Sequence, residues 1–163
     1  MANILISFLL TASLWVQVDL SSVRSNFEKS DTSKEAAATL YNQLKNYNKT
    51  DPVLLAYKGA AYAMQARYVP DRKTKKELFM AGAKDIEGAV ATAPNNVEIR
   101  LVRLIIQENT PKILKYKGNI NTDKQMILTN FDSQTKAVKD AVKRYASTRS
   151  SVFTAAELRT LTQ

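Results

Sequence analysis

Asp51-Pro52-Val53-Leu54-Leu55-Ala56-Tyr57-Lys58-Gly59-Ala60-Ala61-Tyr62-Ala63-Met64-Gln65-Ala66-Arg67-Tyr68 is the stretch that decides the fold. Asp51 is a helix-capping residue, and Pro52 follows at the first helical position, where its missing N–H costs nothing. Leu54, Tyr57, Ala61, Met64 and Tyr68 then recur on one helical face, so the spacing predicts a helix over about 52 to 69. Working outward, Leu40, Leu44 and Tyr47 predict a helix over about 33 to 47. Phe79, Ala83, Ile86 and Val90 predict one over about 75 to 93. Val97, Leu101, Leu104 and Ile105 predict one over about 96 to 109. Val138, Ala141, Val142 and Tyr145 predict one over about 133 to 147. No stretch alternates apolar and polar residues for long enough to propose a sheet.

The helix starts are signed as well. Thr32 precedes Glu35 by three residues, Thr74 precedes Glu77, Asn95 precedes Glu98 and Thr154 precedes Glu157. At this spacing the first side chain accepts from an N–H of the opening turn and the Glu reaches back to the cap. Pro70, Pro94 and Pro111 fall in the breaks between helices. Short connections between consecutive helices imply antiparallel neighbours. The expectation is an all-α chain of about six or seven helices, built from antiparallel hairpins.

Charge divides the chain. Met1 to Val18 carry none of it, and the residues from Asp19 onward carry all 24 basic and 15 acidic side chains. The apolar run Ile4 to Val16 is shorter than the ~20 residues a membrane-crossing helix needs. It fits the ~7–15 apolar residues of a secretory signal peptide. Residues 1–18 are therefore expected to be a signal peptide, with the cleavage position open, and 19–163 a single helical domain. A buried N-terminal helix and a retained signal anchor are the alternatives. The absence of cysteine leaves the fold to packing alone and suits an exported bacterial protein, periplasmic or secreted.

Leu55 to Pro94 resembles a tetratricopeptide repeat, a helical hairpin with small, aromatic and Pro residues at fixed offsets. Gly59 and Tyr62 match its first helix; Gly82, Ile86, Ala89 and Pro94 match its second. The separation from Tyr62 to Gly82 exceeds a standard repeat by about 11 residues. Either the first helix runs on or a loop is inserted near Val69 to Lys76. The resemblance implies a repeat-like hairpin; an irregular helical bundle is the alternative. It also implies that Val53, Ala56, Ala60 and Ala63 stand where the family lines its peptide groove, with no basic clamp for a peptide carboxylate. A second segment, Gln107-Glu108-Asn109-Thr110-Pro111-Lys112 with Tyr116, Asn119-Ile120 and Asp123-Lys124, is similar to part of small exported bacterial proteins without assigned activity. That resemblance implies a compartment and no chemistry.

Composition excludes most catalytic apparatus. Without His or Cys there is no Ser–His or Cys–His nucleophile and no usual zinc, haem or copper ligand. There is no Gly-rich phosphate loop and no calcium loop, so no cofactor or metal is expected. A carboxylate pair acting on a cell-wall polysaccharide survives as one alternative, with Glu28, Glu35 and Glu108 as candidates by elimination. The remaining signal is basic charge: 14 basic and 11 acidic residues from Asp19 to Thr110, against 10 and 4 from Pro111 to Gln163. Arg72, Lys73, Lys75 and Lys76 form a local cluster, and Lys112, Lys115 and Lys117 another. Lys75 and Lys76, read in an opening helical turn, would oppose the helix dipole. These seven residues are the candidate partner-binding set. The expected function is a non-enzymatic exported module that presents basic and tyrosine-bearing surface to a protein partner or an anionic envelope polymer. Peripheral contact with anionic lipid is the third reading, and export argues against nucleic acid.

Overall fold

A computed structural model describes residues 18–48, 50–148 and 150–162. The expected leader, apart from Val18, lies outside the described residues. The described chain forms eight α-helices and one short 3-10 turn and contains no strand. In order they are α1 (Leu20–Ser30), α2 (Lys34–Leu44), α3 (Pro52–Tyr68), α4 (Arg72–Thr92), α5 (Val97–Asn109), the 3-10 turn (Lys112–Leu114), α6 (Ile120–Asn130), α7 (Lys136–Thr148) and α8 (Ala155–Thr162). The all-α expectation holds, with α1, α6 and α8 as helices that the apolar spacing did not reveal, α8 being signed by its cap alone.

Two of the expected caps form as read. Asp51 accepts from the Val53 and Leu54 backbone N–H groups at 2.8 and 3.2 Å, and Pro52 takes the first position of α3. Thr154 and Glu157 make a reciprocal box at the start of α8, at 2.8 and 3.3 Å. Three caps shift. Ser33, not Thr32, caps α2 through the Ala36 N–H. Asn96, not Asn95, caps α5 through the Ile99 N–H. Asp71, not Thr74, caps α4, so that helix begins nearly a turn earlier than expected. In each case a side chain of equal or better capping ability sits at the break in helical backbone.

α3 and α4 form the most extensive helix pairing. α3 runs on to Tyr68 and α4 starts at Arg72, so helix and a three-residue link fill the long Tyr62-to-Gly82 separation without an inserted loop. The helices touch through bare backbone. A methyl group on Gly59 would overlap the Gly82 carbonyl oxygen and lie 2.7 Å from Ile86 Cγ1; one on Gly82 would overlap the Gly59 carbonyl oxygen. Gly88 lies opposite Leu55, Gly59 opposite Gly82 and Ile86, and Ala63 opposite Gly82, an antiparallel progression. Ala56, Ala60 and Ala63 are buried in the adjoining hydrophobic core, with Val53 packed against it.

α5 is the wall shared by two hydrophobic cores. Its Ile99, Val102 and Ile106 enter the first, with Leu40, Leu44, Met64 and Ile86. Its Val97, Leu101 and Leu104 enter the second, with Ile127, Val142, Phe153 and Leu161. Each fully buried aliphatic side chain contributes ~1.5–3 kcal/mol of transfer free energy.

Buried charged side chains tie the helices together beside those cores. Glu98, the expected partner of Asn95, instead accepts from Arg24 Nε and Nη2, both at 2.7 Å, and from the Tyr57 hydroxyl at 2.8 Å, joining α1, α3 and α5. Burial, reinforced by the Glu98 carboxylate, pushes the Tyr57 hydroxyl well above its ordinary range. Asp123 of α6 is fully buried and accepts from Arg100 at 2.9 Å and from Arg103 at 2.7 and 2.8 Å. Arg103 reaches on to Glu87 at 2.7 Å, which also accepts from the Tyr116 hydroxyl at 2.7 Å. This network joins α4, α5 and α6 to the segment after the 3-10 turn. No described helix is long and apolar enough to cross a membrane.

Candidate functional site

Two concavities bear on function. The smaller, of about 60 Å³, lies among α1, α3, α5 and α7 and is walled by Phe27, Met64, Val102, Ile105 and Ala141. Glu28 and Arg144 pair at its edge at 3.0 Å. The polar groups around it are already engaged: Arg24 and Tyr57 with Glu98, and Tyr145 with Glu108. The cavity therefore offers little with which to orient a substrate.

The larger is an open groove of about 760 Å³ between the end of α3, the start of α4 and the 3-10 turn. Ala63, Ala66 and Phe79 are buried beneath it, and Leu114 packs against the same core. Arg67, Arg72, Lys75 and Lys76 line its sides, and Ile113 stands at its lip, 87% exposed. Arg67 is paired with Asp31. Arg72, Lys75 and Lys76 have no carboxylate within ion-pair distance among the described residues.

The turn that presents Ile113 is built, not loose. Leu114 and Lys115 donate backbone N–H groups to Pro111 and Lys112, both at 3.0 Å. Lys115 closes the turn in the left-handed region, at φ 50°. The Tyr116 ring packs edge-on against Phe79 at 5.7 Å while its hydroxyl donates to Glu87. Lys117 donates to the Glu108 carbonyl at 2.7 Å. Backbone and side-chain anchors on both sides of Ile113 thus fix its position over the groove.

The seven expected binding residues divide accordingly. Arg72, Lys75 and Lys76 line the groove. Lys112 and Lys115 flank Ile113, exposed on the turn. Lys73 lies outside the lining and approaches Glu77 at 4.0 Å across one exposed helical turn. Lys117 is half-buried and committed to the Glu108 carbonyl, so its charge is structural. Because α4 begins at Arg72, the side chains at its first two positions are Arg72 and Lys73; Lys75 and Lys76 follow one turn in. Sequence reasoning missed Ile113, Phe79 and Ala66 as groove residues. No tyrosine lines the groove.

The three candidate carboxylates are each occupied. Glu35 sits in the first turn of α2 and accepts from Ser33 at 3.1 Å. Glu28 pairs with Arg144. Glu108 accepts from Tyr145 Oη at 2.7 Å, Ser150 Oγ at 2.8 Å, Ser151 N at 2.6 Å and Ser151 Oγ at 2.9 Å. Burial alone would raise the Glu108 carboxyl, but these four donors outweigh it and hold it below the usual carboxylate range. A general acid for glycoside cleavage needs the opposite shift. Among the described residues no cluster of acidic side chains is placed to hold a metal ion. No protein-family model matches the chain, and no curated protein or solved structure does.

Proposed function

We propose that this chain is a non-enzymatic interaction module: a helical scaffold whose basic groove receives a protein partner or an anionic envelope polymer. The observation that carries the reading is the placement of Arg72, Lys75 and Lys76, cations with no carboxylate in ion-pair distance among the described residues, around a concave apolar floor. Stability alone does not select this arrangement. α4 has no acidic residue in its first turn and carries Arg72 and Lys73 there, against the helix dipole. Arg72 and Lys76 are also like charges at i,i+4, a destabilising spacing. The uncharged run up to Val18 and the absence of cysteine support an exported location, in a bacterial periplasm or outside the cell.

The test is affinity capture from native envelope extract with the full chain and its Arg72→Glu/Lys75→Glu variant as parallel baits, at low and high salt. A component held by the wild type and lost by the variant is the expected result. Equal retention by both would remove the groove from the function.

A further inference from the structure

We infer that the groove's occupant is an acidic peptide segment of a partner protein carrying at least one large apolar side chain, which packs against Phe79 and Ile113 while its carboxylates meet Arg72, Lys75 and Lys76. The inference rests on the interaction-module reading and narrows it to one class of partner.

Two halves of the groove select the two halves of the ligand. The cations select negative charge, but they are exposed, and exposed charges are screened beyond ~8 Å at ordinary ionic strength. Charge alone therefore gives weak, salt-labile attachment. Phe79 lies buried at the floor and Ile113 stands almost fully exposed at the lip. A single exposed aliphatic residue is ordinary on a protein surface. This one is held over an apolar floor by a turn anchored through Tyr116 and Lys117, and only an apolar group entering from outside covers it.

Other occupants fit less of the groove. A polysaccharide or polyphosphate chain meets the cations and leaves Ile113 wet. A bilayer surface is flat on this scale and does not fill the concavity. A second copy of this chain brings net charge +9 against the same cations. Capture of a helix by apolar anchors and capture of an acidic motif by basic clusters are each established modes, and the groove offers the elements of both.

The experiment is a fluorescence-anisotropy titration of the full chain with three probes. The first is a labelled synthetic peptide of about four helical turns, with Leu at i, i+3, i+4 and i+7 and Glu elsewhere. The second is the same peptide with every Leu replaced by Ser, keeping the charge. The third is vesicles of phosphatidylcholine with phosphatidylglycerol. The Leu peptide is expected to bind about ten-fold or more tightly than the Ser peptide. Ile113→Ser is expected to erase most of that difference, and Arg72→Glu to weaken the Leu peptide by about ten-fold. Lys73→Gln, outside the lining, is expected to change affinity by less than about two-fold. Circular dichroism confirms that each variant is folded. Equal binding of the two peptides overturns the inference and leaves a charge-only module standing. Binding to vesicles but to neither peptide overturns it in favour of lipid. Binding to none of the three overturns the inference, while the interaction-module reading falls only if the capture from envelope extract also shows equal retention by wild type and variant.

Discussion

Gly59 and Gly82 face each other with no side chain between them, and the carbonyl oxygen of each occupies the space a methyl group on the other would need. This contact sets how closely α3 and α4 approach, and so fixes the floor on which Ala63, Ala66 and Phe79 sit beneath the groove. Backbone atoms cannot move aside as a flexible side chain can. Gly59→Ala and Gly82→Ala are therefore each expected to cost ~3 kcal/mol, the upper end for overpacking, read as a shift in urea midpoint. Gly88→Ala should do the reverse. Its methyl group meets only Leu55 Cδ2, at 3.9 Å, and an alanine inside a helix gains ~0.5–1 kcal/mol over glycine. Equal effects at all three positions would contradict the close contact.

Glu108 latches the segment after α7 to α5 through Tyr145, Ser150 and Ser151. Its carboxyl is held below its unfolded range by those donors, against the opposing effect of burial. The sign follows from linkage. A group whose pKa is lowered on folding adds stability above its unfolded pKa, and loses it as pH falls through the folded value. Below pH ~4, residues 150–162 are thus expected to gain amide exchange before α3 and α4 do. Glu108→Gln should flatten that acid limb and raise exchange at Ser151 already at neutral pH. Unchanged protection at Ser151 in the variant would contradict the latch.

Asp123 is fully buried beneath two guanidinium groups. Removing one partner of such a set leaves uncompensated charge in the interior. Asp123→Ala is expected to cost ~3–5 kcal/mol, measured by denaturant unfolding. Placing Arg103→Met in that background should recover part of the loss, because the stranded cation goes with it. A further loss in the double variant would show that Arg103 acts through Glu87 and not through Asp123.

Lys115 closes the 3-10 turn at φ 50°, a conformation that costs a residue with a Cβ ~1–2 kcal/mol. Lys115→Gly is expected to raise stability by up to about 1 kcal/mol, with part of the gain offset by greater freedom in the unfolded chain. A fall in thermal midpoint would mean that the Lys115 side chain itself braces the turn.

Helices with wide apolar stripes were legible from the sequence, and those with narrow ones were not. Val23 and Phe27 are the only buried apolar residues of α1, with Ser30 completing its inward face. α6 buries Ile127 and a carboxylate, Asp123, where an apolar period looks for a hydrocarbon. Neither has enough apolar positions to define a period. Cap positions slipped where Thr32-Ser33 and Asn95-Asn96 offer adjacent capping side chains, because only backbone geometry decides between them. At the groove the basic run from Arg72 was visible, while Ile113, in the short pair Ile113-Leu114 between lysines, carries no pattern. Lys117 read as surface charge because nothing in its neighbours records that Glu108 presents a carbonyl to it.

Arg72 offers the most direct test, because the same substitution should move stability and binding in opposite directions. Arg72→Glu puts an acid in the first turn of α4, which favours the helix dipole by ~0.3–1 kcal/mol, and places it four residues before Lys76, a favourable pair. The measurement is thermal unfolding of wild type and Arg72→Glu, each with and without an excess of the acidic Leu peptide. The expected wild-type result is a midpoint raised by peptide, as binding to the folded state requires. The variant is expected to start at or up to about 3 °C above the wild type and to gain little from the peptide. A lowered starting midpoint would show that Arg72 is held for stability, and a peptide-induced rise equal to the wild type's would show that the groove is not where the acidic segment binds.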